Sequence, residues 1–335
     1  MTPASVFVTG CGGFLGSHTV RSLIRRGWTV VGFDALTYAG DMARLHDCQE
    51  TPSFRFVRGD VVDRAAVRSA LQSAGPEIVV HFAAESHVTR GETNSERFER
   101  TNVLGTRVLL EESTEAGVRR FVHISTDEVY GPITSGAFRE DDKPPGPGLA
   151  TSAYARSKAR ADDLAGSYPG PMEVVVLRPT NCFGPWQHPE KALPRWITSA
   201  LLDERLPVWG DGNQVRQWLY AGDLAAAVDL VIEATDPDPV YNVGPRHEPE
   251  IRNADLASWV ASFLDRSDAV VHTAYDRPDH DRRYAVDPTR IESLGWRPTG
   301  VWTNFERTVD WYRRHSAWWL PLRGEAESIY RDRTA

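Results

Sequence analysis

The sequence contains few cysteines, and their spacing excludes two kinds of architecture. Cys11, Cys48 and Cys182 are the only three among 335 residues. An odd and widely spaced set forms neither a disulfide framework nor a metal cluster, and it favours a reducing compartment. The 10 histidines show no metal-ligand motif either. We therefore expect no bound metal.

The sequence also lacks an excess of basic charge and any long apolar run. Its 38 Lys and Arg residues are outnumbered by 46 Asp and Glu residues, so the net charge of −8 is not that of a nucleic-acid-binding protein. No apolar stretch approaches the roughly 20 residues that span a membrane, and residues 1–5 lack the basic start of a signal peptide. With 41% hydrophobic and 25% charged residues, the composition is that of a globular chain. We expect a cytoplasmic protein without nucleic-acid or membrane partners.

Tryptophan is scarce in the first half of the chain. Of 11 tryptophans, only Trp28 precedes residue 180. The length also exceeds that of one ordinary domain. We expect one domain over residues 1–180 and a smaller one over residues 181–335, with some later segments returning to the first.

The first 180 residues alternate between apolar, β-branched runs and amphipathic stretches. The runs predict strands at residues 5–9, 30–33, 54–57, 78–82, 120–125 and 173–178. The amphipathic stretches predict helices at residues 17–26, 64–73, 95–116 and 152–167. This alternation predicts an α/β fold of the doubly wound, Rossmann type, in which helices cover both faces of a parallel sheet.

The pattern loosens after residue 179, as expected for a smaller mixed α/β domain. Short helices are predicted near residues 192–204, 222–234, 254–264 and 303–314. The polar tail from about residue 323 is expected to fray.

A glycine cluster lies between the first predicted strand and the first predicted helix. Gly10, Gly13 and Gly16 let the backbone approach a pyrophosphate, whose charge the N–H groups of a helix N-terminus stabilise. Asp34 ends the second strand, where a carboxylate binds both ribose hydroxyls and repels a 2′-phosphate. The cluster therefore predicts an NAD site and disfavours NADP. The alternative is a tight strand–helix turn with an unrelated Asp.

Tyr154 and Lys158 are four residues apart on a predicted helix and share one of its faces. A nearby ammonium lowers the pKa of a phenol, so Tyr154 is predicted to act as a base while Lys158 binds the nicotinamide ribose. Ser125 and Thr126 end the preceding strand at the sheet edge where ligands bind. The alternative for the Tyr–Lys pair is a solvated helix face.

Two adjacent carboxylates, Asp127 and Glu128, follow that strand. Two carboxylates in different environments can separate into a protonated acid and an ionised base. Elimination of water needs such a pair. The alternative is a solvated acidic turn.

Motifs spread along almost the whole chain resemble those of the extended short-chain dehydrogenases/reductases that act on nucleotide sugars. The matching segments include TGCGGFLGSH (9–18), HFAAESHV (81–88), HISTDEVYG (123–131), YARSK (154–158), WGDGNQVRQWLY (209–220) and LGWRP (294–298). The ESHV and STDEVYG segments are those typical of the 4,6-dehydratases in that group, and the expected substrate is a nucleoside-diphosphate hexose such as dTDP-glucose.

The resemblance implies a redox-neutral dehydration with bound NAD⁺. Tyr154 would remove the C4 hydroxyl proton while hydride leaves C4, and Thr126 would bind the C4 oxygen. Glu128 would remove the C5 proton. Asp127, kept protonated, would donate to the departing C6 hydroxyl, and hydride would then return to C6.

The resemblance also implies the residues that bind each ligand. The cofactor set is Gly10, Gly13, Phe14, Leu15, Gly16, Asp34, Asp60, Val61, Ala83, Tyr154 and Lys158. The substrate set is Ser86, Asn102, Thr126, Asn181, Lys191, Arg216, Asn242, Arg277 and His280. Within the latter, Asn181 and Arg216 would bind the diphosphate, for which the planar Arg fork is suited. The alternative to substrate binding is that Lys191 or His280 is a plain surface residue. For Asn102 the alternative is a buried, hydrogen-bonded residue.

The resemblance implies a homodimer through the helices at 95–116 and 152–167. The sequence departs from the family pattern at Thr89, Gly91, Cys182 and Trp186, all close to the expected sugar and phosphate site. The base and the hexose therefore stay open. Three other functions also stay open. The first is a 5,6-dehydratase. The second is a 4-epimerase, which does not need the carboxylate pair, and the third is a non-catalytic NAD-binding regulator, which would be expected to have lost Tyr154.

Overall fold

A seven-stranded, wholly parallel sheet organises the computed structural model, which describes residues 5–86, 95–142, 152–274 and 282–328. Its strands in chain order are β1 (Ser5–Thr9), β2 (Thr29–Asp34), β3 (Phe54–Arg58), β4 (Ile78–His81), β5 (Arg120–Ile124), β6 (Glu173–Pro179) and β11 (Val240–Val243). Their spatial order is β11-β6-β5-β4-β1-β2-β3. The sheet confirms the predicted Rossmann-type α/β fold, and all six predicted strands belong to it.

Helices cover both faces of this sheet. They are α1 (Phe14–Arg25), α2 (His46–Gln49), α3 (Arg64–Ala74), α4 (Ser95–Phe98), α5 (Gly105–Glu115), α6 (Ala153–Gly166), α8 (Ala221–Glu233) and α10 (Thr289–Ser293). Successive strand residues point to opposite faces. Phe7 and Val79 therefore pack with Leu109 of α5, whereas Val6 packs with Val20 of α1 and Val228 of α8. The central strands β1, β4 and β5 are buried on both sides, which explains their apolar runs, whereas the edge strand β3 has exposed positions.

The helix predicted at 95–116 is interrupted. Between α4 and α5 the backbone is π-helical over Glu99–Leu104. Short π segments of this kind are often found at functional sites. The predicted helical stretch is confirmed over Ser95–Glu115. The π-helical segment within it was not predicted, because the hydrophobic period does not reveal one extra residue per turn.

The helix that carries Tyr154 has a well-defined start. The Ser152 Oγ accepts a hydrogen bond from the Ala155 N–H at 3.0 Å, which caps α6. Such a cap stabilises a helix by about 1 kcal/mol. Tyr154 thus lies in the first turn of α6, and Lys158 lies one turn further along the same face.

The second half of the chain adds short paired strands and four further helices. The strands are β7 (Cys182–Phe183), β8 (Leu206–Trp209), β9 (Val215–Arg216), β10 (Leu219–Tyr220), β12 (Ile251–Arg252) and β13 (Val270–Thr273). The helices are α7 (Ala192–Leu201), α9 (Asn253–Phe263), α11 (Val301–Arg314) and α12 (Ser316–Ser328). They enclose a separate apolar core around Trp196, Trp218 and Trp319. Several tryptophans of the second half are therefore core residues.

The expected fraying from residue 323 is wrong as far as Ser328, because α12 continues to that residue. Arg323 is buried, and its guanidinium pairs with Glu204 at 2.5 Å and with Glu327. A polar tail can be ordered when its charges are partnered by other elements, which composition alone does not reveal.

Within the described part of the chain, no helix is both long and apolar enough to cross a membrane. The same residues contain no group of three or more His, Cys, Asp or Glu side chains suited to holding a metal ion.

Candidate active site

The strand order places a crevice between the carboxyl ends of β1 and β4. The chain runs outward from β1 through β2 to β3 and then returns to β4 on the other side of β1. In doubly wound sheets, ligands bind outside the strand ends at such a switch point. The glycine turn after β1 and the loop after β4 meet here.

The glycine turn leaves no room for side chains. Gly10 has a φ of +68°, and a Cβ on it would lie 2.6 Å from the Ala83 nitrogen. A Cβ on Gly16 would overlap the Gly10 carbonyl oxygen. The Gly13 N–H donates to the Gly10 oxygen at 3.0 Å, and α1 begins directly afterwards. The close backbone approach expected of a pyrophosphate turn is thus present.

Asp34 lies at the end of β2 with its carboxylate held by the backbone. Its Oδ2 accepts the Gly12 N–H at 2.9 Å, and its Oδ1 accepts the Leu36 N–H at 2.7 Å. Burial raises the pKa of Asp34, although the two N–H groups and Arg44 oppose the shift. Each oxygen retains a lone pair for a further donor such as a ribose hydroxyl.

A groove runs from this turn to the loop after β4. Its lining comprises Gly10, Gly13, Asp34, Ala35, Thr37, Ala39, Gly40, Gly59, Asp60, Val61, Phe82, Ala83, Ala84, Glu85, Arg97, Arg100 and Thr101. Six members of the predicted cofactor set are among them. Phe14, Leu15 and Gly16 lie in the first turn of α1, and Tyr154 and Lys158 lie on α6, outside this lining.

Two arginines of the groove were missed by the sequence analysis. Arg97 pairs with Glu85 at 3.3 Å, and Arg100 pairs with Asp60 at 3.1 Å. Their spacing of three on a predicted helix was the available signal, because such residues share a face. The loop they face could not be inferred from that spacing.

Lys158 is buried, and its Nζ donates to the Ile124 carbonyl at 2.7 Å. Burial lowers the pKa of Lys158 to about 8. Tyr154 is partly exposed and hydrogen-bonded with Thr126. The pKa of Tyr154 is raised by burial and then by the charges of Glu128 and Asp127. The net shift in the protein alone is therefore upward, and the lowering of this pKa by Lys158 stays a prediction.

Asp127 and Glu128 lie in different environments. Both belong to the 3₁₀ turn Asp127–Tyr130 after β5, where the Thr126 Oγ1 accepts the Glu128 N–H at 3.3 Å. Asp127 is 2% exposed, whereas Glu128 is partly exposed. Burial and the neighbouring Glu128 charge raise the pKa of Asp127 to about 7, against a lowering by Arg216. The pair thus separates into a proton-holding and a solvent-accessible carboxyl group.

The segment after β6 closes the site from the other side. Burial, followed by the nearby charge of Asp127, raises the pKa of the Cys182 thiol. Arg216 is buried over the Tyr284 ring at 4.9 Å and acts electrostatically on Asp127. The Asn181 Oδ1 is buried without a hydrogen-bond partner in the described part of the protein. Asn181 and Arg216 therefore lie on the side of the site opposite the cofactor groove, and their contact with a ligand stays a prediction.

The other predicted substrate residues divide into three groups. Lys191 donates from its Nζ to the Ser86 carbonyl at 3.2 Å, so these two residues meet. Arg277 and His280 lie outside the described residues, as do Thr89 and Gly91. Asn102 and Asn242 are buried.

Both buried asparagines have structural partners. The Asn102 Oδ1 accepts the Glu85 N–H at 2.8 Å, and its Nδ2 donates to Ser157 at 2.9 Å. The Asn242 Oδ1 accepts from the Tyr130 hydroxyl at 2.9 Å, and its Nδ2 donates to the Phe138 carbonyl at 3.0 Å. These contacts give Asn102 and Asn242 a role in holding loops, and they do not support substrate contact.

Comparison with known proteins places the chain in a family. The family model described as "NAD dependent epimerase/dehydratase family" matches residues 6–244. The chain therefore belongs to the NAD-dependent epimerase/dehydratase family.

Relatives and solved structures are similar over nearly the full length. The low-salt glycan biosynthesis protein Agl12 of Haloferax volcanii is 42% identical over 311 residues, which cover 92% of this chain and 98% of that protein. The dTDP-glucose 4,6-dehydratase of Streptomyces antibioticus is 42% identical over 330 residues, covering 95% of both. The crystal structure of DesIV, a dTDP-glucose 4,6-dehydratase of Streptomyces venezuelae with NAD and TYD bound, aligns with a TM-score of 0.89. It is 39% identical and covers 95% of this chain and 99% of that one.

Proposed function

We propose that the protein is an NAD-dependent nucleotide-sugar 4,6-dehydratase, with dTDP-glucose as the expected substrate. The observation that carries the proposal is the carboxyl pair beside Tyr154. Asp127 is buried with a pKa of about 7, and Glu128 is partly exposed next to it. The first can hold a proton near neutral pH and the second can accept one, which is the requirement of a dehydration.

The groove at the sheet edge fits NAD. Gly10 and Gly16 pack so closely against the backbone of Ala83 and of the turn itself that neither can carry a side chain. The N-terminus of α1 directs N–H groups towards the site expected for the pyrophosphate. Asp34 suits two free ribose hydroxyls and opposes a 2′-phosphate. Bound NAD⁺ would supply the acceptor, and later the donor, of the hydride exchanged at C4 and C6.

The side chains of the site divide the proton transfers among them. Tyr154 takes the C4 hydroxyl proton, with Thr126 hydrogen-bonded beside it. The resulting C4 ketone acidifies the C5 hydrogen, which Glu128 removes as a proton. Asp127 gives its proton to the C6 hydroxyl, the C6–O bond breaks, and water leaves. Glu128 then returns a proton to C5 as hydride arrives at C6. The C4 oxygen stays a ketone, Tyr154 releases its proton to solvent and Asp127 takes one up, so the net change is loss of one water.

The segments after β6 supply the nucleotide site. Arg216 and Asn181 bind the diphosphate, and Lys191 lies at the nucleoside side together with Ser86. Support comes from the charge of Arg216, which acts on the neighbouring Asp127 and suits an anionic diphosphate. In this assignment residues 1–180 carry the cofactor and catalytic groups, and residues 181–335 mainly bind the nucleotide sugar.

A 4-epimerase is the nearest alternative within the family. It transfers hydride at C4 but breaks no C–O bond at C6. Asp127 is a buried carboxyl group that is hydrogen-bonded to Thr126 and has a raised pKa. Its burial costs folding stability, and an epimerase would gain nothing from it. The carboxyl pair therefore favours dehydration.

The experiment that tests the proposal is incubation of the purified protein with dTDP-glucose, with UDP-glucose in parallel. Mass spectrometry should show a product that is one water lighter and carries a 4-keto group. An isomer of unchanged mass would support the epimerase instead. Unchanged substrates, with the protein folded and NAD bound, would contradict both enzymatic readings.

The proposal includes a homodimer built through the helices around residues 95–115 and 153–166. Leu104 is 47% exposed at the end of the π-helical segment, although it is a large apolar residue. Arg160 of α6 pairs with Glu99 at 2.6 Å across the same helix pair. A second copy would cover Leu104.

The three unpaired cysteines also support a cytoplasmic location.

A further inference from the structure

Arg44 is a buried arginine that the proposed mechanism does not use. It belongs to the 3₁₀ segment Met42–Leu45 after β2 and is 1% exposed. A guanidinium is always charged, and its burial is tolerated only where its donors find acceptors. The partners of Arg44 therefore indicate what it does.

Three backbone carbonyls from separate segments accept from Arg44. Its Nη1 donates to Gly12 at 2.9 Å and to Ala39 at 2.5 Å, and its Nε donates to Trp186 at 3.1 Å. Gly12 belongs to the glycine turn and Ala39 lines the cofactor groove. Trp186 lies between Asn181 and Lys191. One side chain thus links the cofactor turn to the substrate segment.

Both backbone polar groups of Gly12, its carbonyl and its N–H, are fixed by hydrogen bonds. Its carbonyl accepts from Arg44 and also from the Asp41 N–H at 2.9 Å. Its own N–H donates to the Asp34 Oδ2 at 2.9 Å. Because a glycine has wide backbone freedom, these bonds decide where its N–H points. The orientation of the Asp34 carboxylate depends on them.

An aromatic cluster from the C-terminal helices holds the guanidinium in place. Arg44 lies over the Trp318 ring at 5.3 Å, and the Trp318 Nε1 donates to the Asp41 Oδ2 at 2.7 Å. Trp186, whose φ is +70°, packs against Trp318 at 5.1 Å and Trp311 at 4.7 Å between ring centroids. Trp311 lies on α11 and Trp318 on α12. The end of the second half therefore contacts the cofactor turn through Arg44.

We propose that Arg44 is a positioning residue of the dinucleotide site. It fixes Gly12 and thereby the Asp34 carboxylate that receives the adenosine ribose, and Trp186 and Trp318 fix Arg44. The affinity for the adenosine half of the cofactor thus depends on the C-terminal helices. This inference rests on the proposed NAD groove.

The test measures binding of ADP-ribose by calorimetry after the resident dinucleotide is removed. ADP-ribose retains the adenosine ribose and both phosphates, and it needs no turnover. Loss of hydrogen bonds from a charged donor predicts that Arg44→Met weakens binding about 10- to 100-fold. Arg44→Lys keeps the charge but not the planar guanidinium, so its affinity for ADP-ribose should lie between those of the original protein and Arg44→Met. Arg55→Met, at an exposed arginine of β3, is the matched control and should bind like the original protein.

A double-mutant cycle separates positioning from a general structural effect. If Arg44 acts through Asp34, its substitution in an Asp34→Asn background should weaken binding less than about 3-fold. Equal weakening in both backgrounds overturns the inference. If Arg44→Met does not fold by circular dichroism, Arg44→Lys carries the same cycle. Failure of the original protein to bind ADP-ribose would contradict the proposed function itself, whereas equal binding by the Arg44 variants contradicts only this inference.

Discussion

Asp127→Asn is expected to make the protein more stable at neutral and basic pH while removing its activity. The pKa of Asp127 rises from an ordinary 3.8 to about 7 because the carboxyl group is buried beside Glu128. At about 1.4 kcal/mol per pKa unit, keeping this group in the fold costs about 4 kcal/mol once it is ionised. The amide of Asn is neutral at every pH and avoids that cost.

The sign of the pH dependence follows from the two pKa values. The unfolded chain releases the Asp127 proton near pH 3.8, whereas the native protein releases it only near pH 7. Between those values the native state binds more protons, so its stability falls as the pH rises. The unfolding free energy of Asp127→Asn relative to the original protein should therefore grow by about 2 kcal/mol from pH 5 to pH 7 and level off above about pH 8.

Urea unfolding across this pH range measures the effect. Asp163→Asn, at an exposed carboxylate of α6, is the control and should run parallel to the original protein. A constant difference between Asp127→Asn and the original protein at all pH values would refute the reasoning, since it would mean that Asp127 ionises alike in both states.

Three further outcomes are expected. The value of kcat/KM should decline above about pH 7, because Asp127 must carry a proton to donate at C6; a profile level to about pH 9 would contradict this role. Glu128→Gln should retain C4 oxidation in single-turnover experiments while losing solvent exchange at C5, and equal loss of both partial reactions would count against Glu128 as the C5 base. Leu104→Glu should give a monomer by light scattering, whereas Leu202→Glu, at a 36%-exposed leucine on the end of α7, should not. A dimer in both variants would show that the helix pair is not the interface.

The sequence predicted the parts of the fold whose determinants are local. Strands buried on both faces appear as continuous apolar runs, and the glycine turn has its own spacing, so β1 through β6 and the turn at Gly10 were predicted correctly. The pair Asp127 and Glu128 was found because the two are adjacent. What separates them is burial, which depends on the whole chain.

Features that depend on distant partners escaped prediction. The strand β11 has only four residues, Val240–Val243, and is defined by pairing with β6 more than sixty positions earlier. Asn242 matched a binding motif, yet its partners Tyr130 and Phe138 lie more than 100 positions away. The sequence analysis considered only the effect of Lys158 on the pKa of Tyr154, one turn away on the same helix. In the structure burial raises this pKa most, followed by the charges of Glu128 and Asp127, which come from another loop.

The most direct test of the account follows a single hydrogen. dTDP-glucose carrying deuterium at C4 is incubated with the protein, and the product is analysed by deuterium NMR. The account predicts a 4-keto-6-deoxy sugar with the deuterium in the C6 methyl group, because the hydride that leaves C4 returns to C6 in the same site. Deuterium retained at C4, or a product that has lost it altogether, would contradict the proposed reaction.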